Sequence, residues 1–420
     1  MIPSIDSVAR IAPTALERWL RRRLLAKLSG LQGGRLRLRD ADGQFELGQD
    51  VGEPAIDLWV DDPVFYRQVA MGGSVGAGEA YIDGAWQCSD LVALVQLLVR
   101  NRDLLDGMER GPARLAALLL RLWHAARVNS RTGSRRNIAA HYDLGNAFFA
   151  LFLSADMMYS SAIFADAEES LEQASRRKLD RICRWLQLAP GDRVIEIGSG
   201  WGGFAEHAAR HYGCHVTTTT ISAEQYQSAQ MRMVAAGLQE QVSVLQLDYR
   251  DLRGQYDKLV SIEMIEAVGA HYLPGYFAQL QKLLKPGGLA LIQAITIEDH
   301  RYEQALHSVD FIKRHVFPGS FIPSLEAISR ARAGNSDLYV IVQEDFGESY
   351  ALTLNAWRQR FLQQLPAVRA QGFDEDFIRL WEFYLAYCEG GFRERSIGVS
   401  HLLMARPGQQ PRGKHPEDSR

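Results

Sequence analysis

Three short polar clusters carry the chemistry that can be read from this chain, and each follows an apolar or β-branched run. The first is Gly198-Ser199-Gly200-Trp201-Gly202-Gly203, after Arg193 to Ile197 and before an amphipathic helical pattern at Phe204 to Tyr212. Glycine permits positive φ and close approach of a ligand to the backbone, while a helix start offers unpaired N–H groups. The second cluster is Thr220-Ile221-Ser222-Ala223-Glu224-Gln225, and the third is Asp248-Tyr249. Glycines, a polar ribose partner and a pair able to flank adenine are what a nucleoside needs. The Gly-x-Gly-x-Gly spacing departs from that of dinucleotide binders, the second strand does not end in the acid a nicotinamide ribose demands, and no Gly-Lys-Ser/Thr serves nucleotide phosphates. S-adenosylmethionine, a nucleoside without phosphate, fits better. Asp248 reads equally as a strand-end turn residue.

These clusters need a sheet to hold them. The pattern predicts strands at Arg193–Ile197, Val216–Thr220, Val242–Leu247, Lys258–Met264 and Gly288–Ile297, with helices at Leu171–Leu188, Ala223–Ala236 and Gly275–Leu284. That rhythm implies an α/β fold with a doubly wound, mostly parallel sheet, whose ligands sit at the carboxyl ends of the strands. A late strand at Leu338–Glu344 and helices at Leu352–Leu365 and Asp374–Glu389 follow a long insertion. Upstream, a small α+β domain is expected over residues 1–110, with a basic amphipathic helix from Thr14 to Leu28, strands at Arg35–Arg39 and Ala55–Val60, and helices at Val64–Ala70 and Leu91–Val99. Residues 111–140 read as a second basic amphipathic helix from Pro112 and a linker, 141–405 as the main domain, and 406–420 as a disordered tail.

The 420 residues, 47% hydrophobic and 23% charged, suit two or three soluble domains. The apolar runs fall short of a membrane span, and no secretory signal is visible. The cysteines Cys88, Cys183, Cys214 and Cys388 have no spacing for zinc or a disulfide framework, which implies a reducing, cytoplasmic compartment and no metal site. A net charge of −3 hides two basic stretches: residues 1–40 hold nine Lys/Arg against three acids, and residues 109–136 hold seven Arg against Glu109. Two solvated helical faces would account for them; if they contact anionic phosphate, the interleaved apolar residues favour a membrane surface over nucleic acid, for which no motif is present, and packing on its own domain is an equal alternative for the Thr14–Leu28 helix.

From about Tyr142 to Arg395 the chain resembles the cyclopropane-fatty-acid synthase family of S-adenosylmethionine-dependent methyltransferases. The resemblance rests on His141-Tyr142-Asp143-Leu144-Gly145-Asn146, Tyr159-Ser160-Ser161-Ala162, the Glu196 to Gly203 loop, and Thr220-x-Ser222-x-x-Gln225. Glu266-x-Val268-Gly269, Phe317-Pro318-Gly319 and Cys388-x-x-x-Phe392-Arg393 extend it. Gly78-Glu79-Ala80-Tyr81 to Trp86 is similar to the family's small lipid-binding domain. The resemblance implies a Rossmann-like class I methyltransferase sheet, with Tyr159, Ser160, Gly198, Ser199, Gly200, Thr220, Ile221, Ser222, Gln225, Asp248 and Tyr249 around the cofactor. It implies a cis-unsaturated phospholipid acyl chain as acceptor, a peripheral position on the inner face of the membrane, and frequent dimers.

In the family a bound bicarbonate removes a proton from the newly transferred methyl group, and the ring closes. Here the usual cysteine of the Tyr-Ser-Cys-Ala turn is Ser161, a bicarbonate-contacting histidine is Gln293, a tyrosine before Phe-Pro-Gly is His315, and the histidine after Glu266 is Ala267. Gln293 forms hydrogen bonds but cannot titrate. The expectation is an anion or base site with rearranged partners, Glu266 and His315 foremost, and a cyclopropane product. The alternative is loss of bicarbonate and a methyl- or methylene-branched chain. Cys388, which the family marks as an active-site position, is expected to act as a wall of the acyl pocket. A methyltransferase for a soluble small molecule and a non-catalytic lipid-binding protein are the competing classes.

Overall fold

The computed structural model describes residues 12–106 and 144–408. The N-terminal unit opens with α1 (Ala15–Leu28), whose start is set by a reciprocal cap: Thr14 Oγ1 accepts from Glu17 N–H, and the Glu17 carboxylate accepts from Thr14 N–H. Strands β1 (Arg35–Asp40), β2 (Gly43–Gly48), β3 (Ile56–Val60) and β4 (Trp86–Cys88) form a sheet in the order β2-β1-β3-β4. Helix α2 (Val64–Ile82) comprises two helical stretches across a kink, the first of which contains the expected Val64–Ala70 helix. In the second, glycine permits close packing, since a Cβ at Gly78 would overlap the Phe311 ring. Only Gly73 leaves helical geometry, at φ 55 and ψ −129, and kinks the helix there. Helices α3 (Leu91–Arg100) and α4 (Arg102–Asp106) close the unit. The expected helix from Pro112, the linker, His141 to Asp143 and the tail beyond Gly408 lie outside the described residues.

The main unit begins with α5 (Asn146–Phe149) and α6 (Leu171–Trp185), then alternates β5 (Arg193–Ile197), α7 (Gly203–Tyr212), β6 (His215–Thr219), α8 (Ala223–Ala235), β7 (Val242–Leu245), β8 (Tyr256–Ile262), α9 (Leu273–Leu283) and β9 (Leu284–Ile297). After short α10 (Tyr302–Leu306) come α11 (Leu325–Asn335), β10 (Tyr339–Asp345), α12 (Gly347–Gln363), α13 (Leu365–Ala370), α14 (Glu375–Arg393) and β11 (Ile397–Ala405). The seven-stranded sheet has the order β10-β11-β9-β8-β5-β6-β7, parallel from β9 to β7. β11, which the sequence pattern did not reveal, enters antiparallel between β9 and β10.

The two units share a seam. Arg379 of α14 donates to the carbonyls of Tyr81 and Trp86, at 2.6 and 3.0 Å, and Tyr81 Oη donates to Glu382. Gly390 lies against Val95 of α3, where a Cβ would come within 2.6 Å of a methyl group. Phe311, Phe383, Tyr81 and Trp86 pack through the same seam, edge-on except for the tilted Tyr81–Phe383 pair. No helix among the described residues is long and apolar enough to cross a membrane.

Candidate active site

Strand β5 is flanked by β6 on one side and β8 on the other, so the chain reverses its direction of travel across the sheet at its carboxyl end. The glycine loop sits there. Gly198, Gly200 and Gly202 have φ of 95, 47 and 86, and the N–H groups of Gly198 and Ser199 donate to Thr219 O, tying the loop to β6. Gly203 is required by proximity: a Cβ there would overlap Asp156 O and stand 2.9 Å from Met158 Sδ. Buried Trp201 packs on Phe149 and donates from Nε1 to Asn146 Oδ1. The segment before β5 is thereby docked onto the loop as a cover.

A cavity of about 1080 Å³ opens from this point and is lined by Tyr159, Ser160, Gly198, Ser199, Gly200, Thr220, Ile221, Gln225, Asp248 and Tyr249. Thr220 Oγ1 donates to Gln225 Oε1 at 2.8 Å and accepts from Ser222 N–H. Ser222 itself does not line the cavity but caps α8 through Gln225 N–H. Asp248 caps the following turn and is held bidentately by Arg250, so it is both wall and turn residue. Glu196 and Asp248 also reach the lining at this end. This set of glycines, hydroxyls, an amide and an acid suits a nucleoside.

The cavity continues away from the loop into apolar territory. Phe317, Phe383, Tyr384, Tyr387 and Cys388 line its middle, and Leu24, Leu36, Leu58, Phe65, Trp86 and Leu94 of the N-terminal unit line its far part. One space therefore joins the sheet's ligand edge to the interior of the small unit. Its volume exceeds the roughly 300–1,000 Å³ usual for small-molecule pockets.

At the junction stands Glu263, a residue that the sequence reading passed over. It follows β8 with φ 47, a left-handed conformation unusual for any residue but glycine, asparagine or aspartate. Its Oε1 accepts from Ser161 N–H at 2.9 Å and from Gln293 Nε2 at 2.7 Å; its Oε2 accepts from Tyr350 Oη at 2.7 Å. Burial raises its pKa, and these three donors together with the nearby Lys178 charge oppose the rise. Glu266, one turn on, accepts from Ile295 N–H at 2.6 Å, while its Oε2 is buried without a hydrogen-bond partner among the described residues. Burial, then the Glu263 charge, push its pKa up to about 8. Lys178, fully buried on α6, donates to Ser160 Oγ at 2.7 Å, and burial lowers its pKa against the pull of Asp156, Glu263 and Glu196.

Ser161 and Gln293 thus lie behind the cavity wall, with their donors directed at Glu263. Those donors are already used by a carboxylate of the chain, and a second anion would face it at close range; the residues present do not fit bicarbonate. His315 is not gathered there. A π-helical turn at Ile312–Val316 buries Lys313 and Val316 and aims His315 at Glu79 of α2, with Nε2 3.1 Å from the carboxylate. Cys388 lines the cavity, and burial raises its pKa, which keeps the thiol protonated. Tyr159 and Tyr384 join their hydroxyls at 2.9 Å across the junction.

Residues 129–402 match the family model described as mycolic acid cyclopropane synthetase. The chain belongs to that family. It is 38% identical over 89% of its length, and 88% of the relative's, to the tuberculostearic acid methyltransferase UfaA1 of Mycobacterium tuberculosis. To the cyclopropane-fatty-acyl-phospholipid synthase of Escherichia coli K12 it is 36% identical, over 84% of this chain and 89% of that one. Among solved structures, the cyclopropane synthase MmaA2 from Mycobacterium tuberculosis superimposes with a TM-score of 0.61 at 27% identity, covering 65% of this chain and 98% of that one. The mycolic acid cyclopropane synthase CmaA1, complexed with SAH and CTAB, does so with a TM-score of 0.61 at 26% identity over the same shares. As a member of the cyclopropane synthetase family, the chain is an S-adenosylmethionine-dependent methyltransferase with a class I sheet.

Proposed function

We propose that the chain transfers a methylene unit from S-adenosylmethionine to the cis double bond of an unsaturated phospholipid acyl chain, closing a cyclopropane ring. The observation that carries this reading is the single cavity joining the glycine loop to the apolar interior of the N-terminal unit, with a buried carboxylate at the junction. S-adenosylmethionine supplies an electrophilic methyl group there. The alkene is a weak nucleophile, so the protein contributes by alignment and by exclusion of water. Phe317, Phe383 and Tyr384 offer ring faces to the positive charge that develops on the chain. One proton must then leave the added carbon, and its C–H electron pair closes the ring. Glu263 accepts that proton in this reading, and no bicarbonate is needed.

The N-terminal helix supports a membrane-surface position. Leu16 and Trp19 are exposed on α1, and the Arg23 guanidinium lies 4.8 Å over the Trp19 ring. Arg21, expected to share this role, is instead turned inward to Asp40, with Nη2 to Oδ1 at 3.0 Å. Salt-sensitive sedimentation with anionic vesicles, weakened in Trp19→Ala, is the expected result.

The test of the reaction is incubation with labelled methyl donor and vesicles of unsaturated phospholipid, followed by product identification. Label in the acyl chain with ring proton signals by NMR is expected. A methylene branch has the same added mass, so NMR is needed to separate it from the ring; absence of added carbon would sink the reading altogether.

A further inference from the structure

Strand β11 carries a histidine into the site from behind. His401 is the cross-strand partner of Gln293 on β9, so the two side chains emerge on the same face of the sheet. His401 is fully buried, packed between Phe346 and Trp185 at ring-centre distances of 4.7 and 5.8 Å. Its Nε2 lies 2.9 Å from Gln293 Oε1, and its Nδ1 has no partner among the described residues. The Gln293 amide nitrogen, at the other end, donates to Glu263 Oε1 and to Ser161 O, at 2.7 and 3.3 Å.

Which way a glutamine amide points follows from its partners. A flipped Gln293 would set its carbonyl against the Glu263 carboxylate and the Ser161 carbonyl, two acceptors facing a third. The nitrogen must therefore face Glu263, and the oxygen must face His401. A neutral imidazole carries one N–H, and here it has to be on Nε2. Burial and the charges of Arg181 and Lys178 hold the ring neutral, which leaves Nδ1 as a bare lone pair, in agreement with its lack of a donor. Removing the Nε2–H would strand a buried carbonyl oxygen at Gln293 and let the amide rotate, withdrawing a donor from Glu263.

We propose that His401 is a positioning residue for methyl transfer: through the Gln293 amide it fixes the Glu263 carboxylate beside the acyl cavity. This rests on the reading of Glu263 as the proton acceptor. Nothing is transferred through Gln293, and His401 touches neither cofactor nor acyl chain.

Three measurements test it. In His401→Phe, kcat for methyl transfer falls about tenfold, the loss of one buried hydrogen bond, with the S-adenosylmethionine Kd by calorimetry unchanged. His401→Gln, whose amide can place an N–H near the Nε2 position, restores most of the rate. In a Glu263→Gln background, adding His401→Phe produces no further loss. Equal rates in the Phe and Gln variants, or a loss of the same size with and without Glu263, would assign His401 to packing alone and overturn the proposal. Independently of activity, nitrogen-15 NMR of labelled histidine in the wild-type protein is expected to show a neutral Nε2–H ring at His401, and an Nδ1–H tautomer refutes the mechanism. Wild-type protein that transfers no methyl group sinks the functional reading, whereas the tautomer still decides the hydrogen-bond arrangement, even where His401→Phe fails to fold.

Discussion

The two ends of the cavity are built by different means. At the end proposed for the cofactor, three lining segments are short pieces of chain beyond a parallel strand, Gly198–Trp201 after β5, Thr220–Gln225 after β6 and Asp248–Tyr249 after β7, and Tyr159 and Ser160 join them from the segment before β5. Backbone conformation and helix starts supply most of the shape. At the junction with the proposed acyl end, Ser161, Glu263, Glu266, Gln293, Tyr350 and His401 come from separate segments; the side chains of Glu263, Glu266 and Gln293 tie them together, beside the strand pairing of Gln293 with His401 and the bond from Glu263 N–H to Gln293 O. In the proposed reading, binding the donor is a local property of the sheet, while disposing of the proton depends on the whole tertiary arrangement. Substitutions at the two ends should separate binding from turnover.

The largest effect is expected at the junction. Glu263→Gln should lower kcat by about 10²–10⁴, the usual contribution of a general base, while calorimetry shows cofactor affinity unchanged; a parallel loss of affinity would erase the distinction between the ends. Gly203→Ala should do the reverse. Its Cβ meets Asp156 O and Met158, and overpacking of about 1–3 kcal/mol predicts a loss of cofactor affinity of up to about a hundredfold. Retained affinity would show that the cover over the loop is dispensable.

A smaller effect is expected from Glu266→Gln, which can still accept from Ile295 N–H. The native carboxyl keeps its proton up to about 8 and the unfolded one loses it near 4.5, so between these values the unfolded chain binds fewer protons. Its contribution to stability is complete below the lower value and is lost as pH rises through the upper one. Urea melts should show a flatter decline for the variant than for the wild type across that window, and equal slopes would count against a neutral Glu266. Cys388→Ser should have the smallest effect, within about threefold in kcat/KM, since its protonated thiol serves as a wall. A complete loss with cofactor binding intact would give the sulfur a chemical role.

The same contrast explains what could be read from the sequence. The glycine loop, Thr220, Gln225 and the strand–helix rhythm announce themselves through spacing, because local backbone geometry dictates residue type. Glu263 leaves only a faint signal, an acid closing the mostly apolar strand pattern Leu259-Val260-Ser261-Ile262, and the family match at Glu266 overshadows it. His401 was missed because β11 itself was: an isolated apolar strand near the end of the chain has no partner visible in one dimension. His315 was misplaced for the opposite reason. Its position before Phe317-Pro318-Gly319 aligned with the family, but a π-helical turn changes which side chains face inward. Lys178 sits on the apolar face of α6, where one cation among hydrophobic residues looks like a breach of the pattern rather than a hydrogen-bond donor to Ser160.

The seam between the two units has a consequence for how the protein withstands heat. Leu24, Leu36, Leu58 and Phe65 belong to the hydrophobic core of the N-terminal unit and also line the acyl cavity. A lipid tail seated there would become part of the interior of the fold, and any ligand that binds only the folded form raises the melting temperature, with the logarithm of its concentration once the site is filled. An acceptor lipid bound there would in this sense be a removable piece of the core. Thermal unfolding should thus report the presence of bound acyl chains before any chemistry is measured.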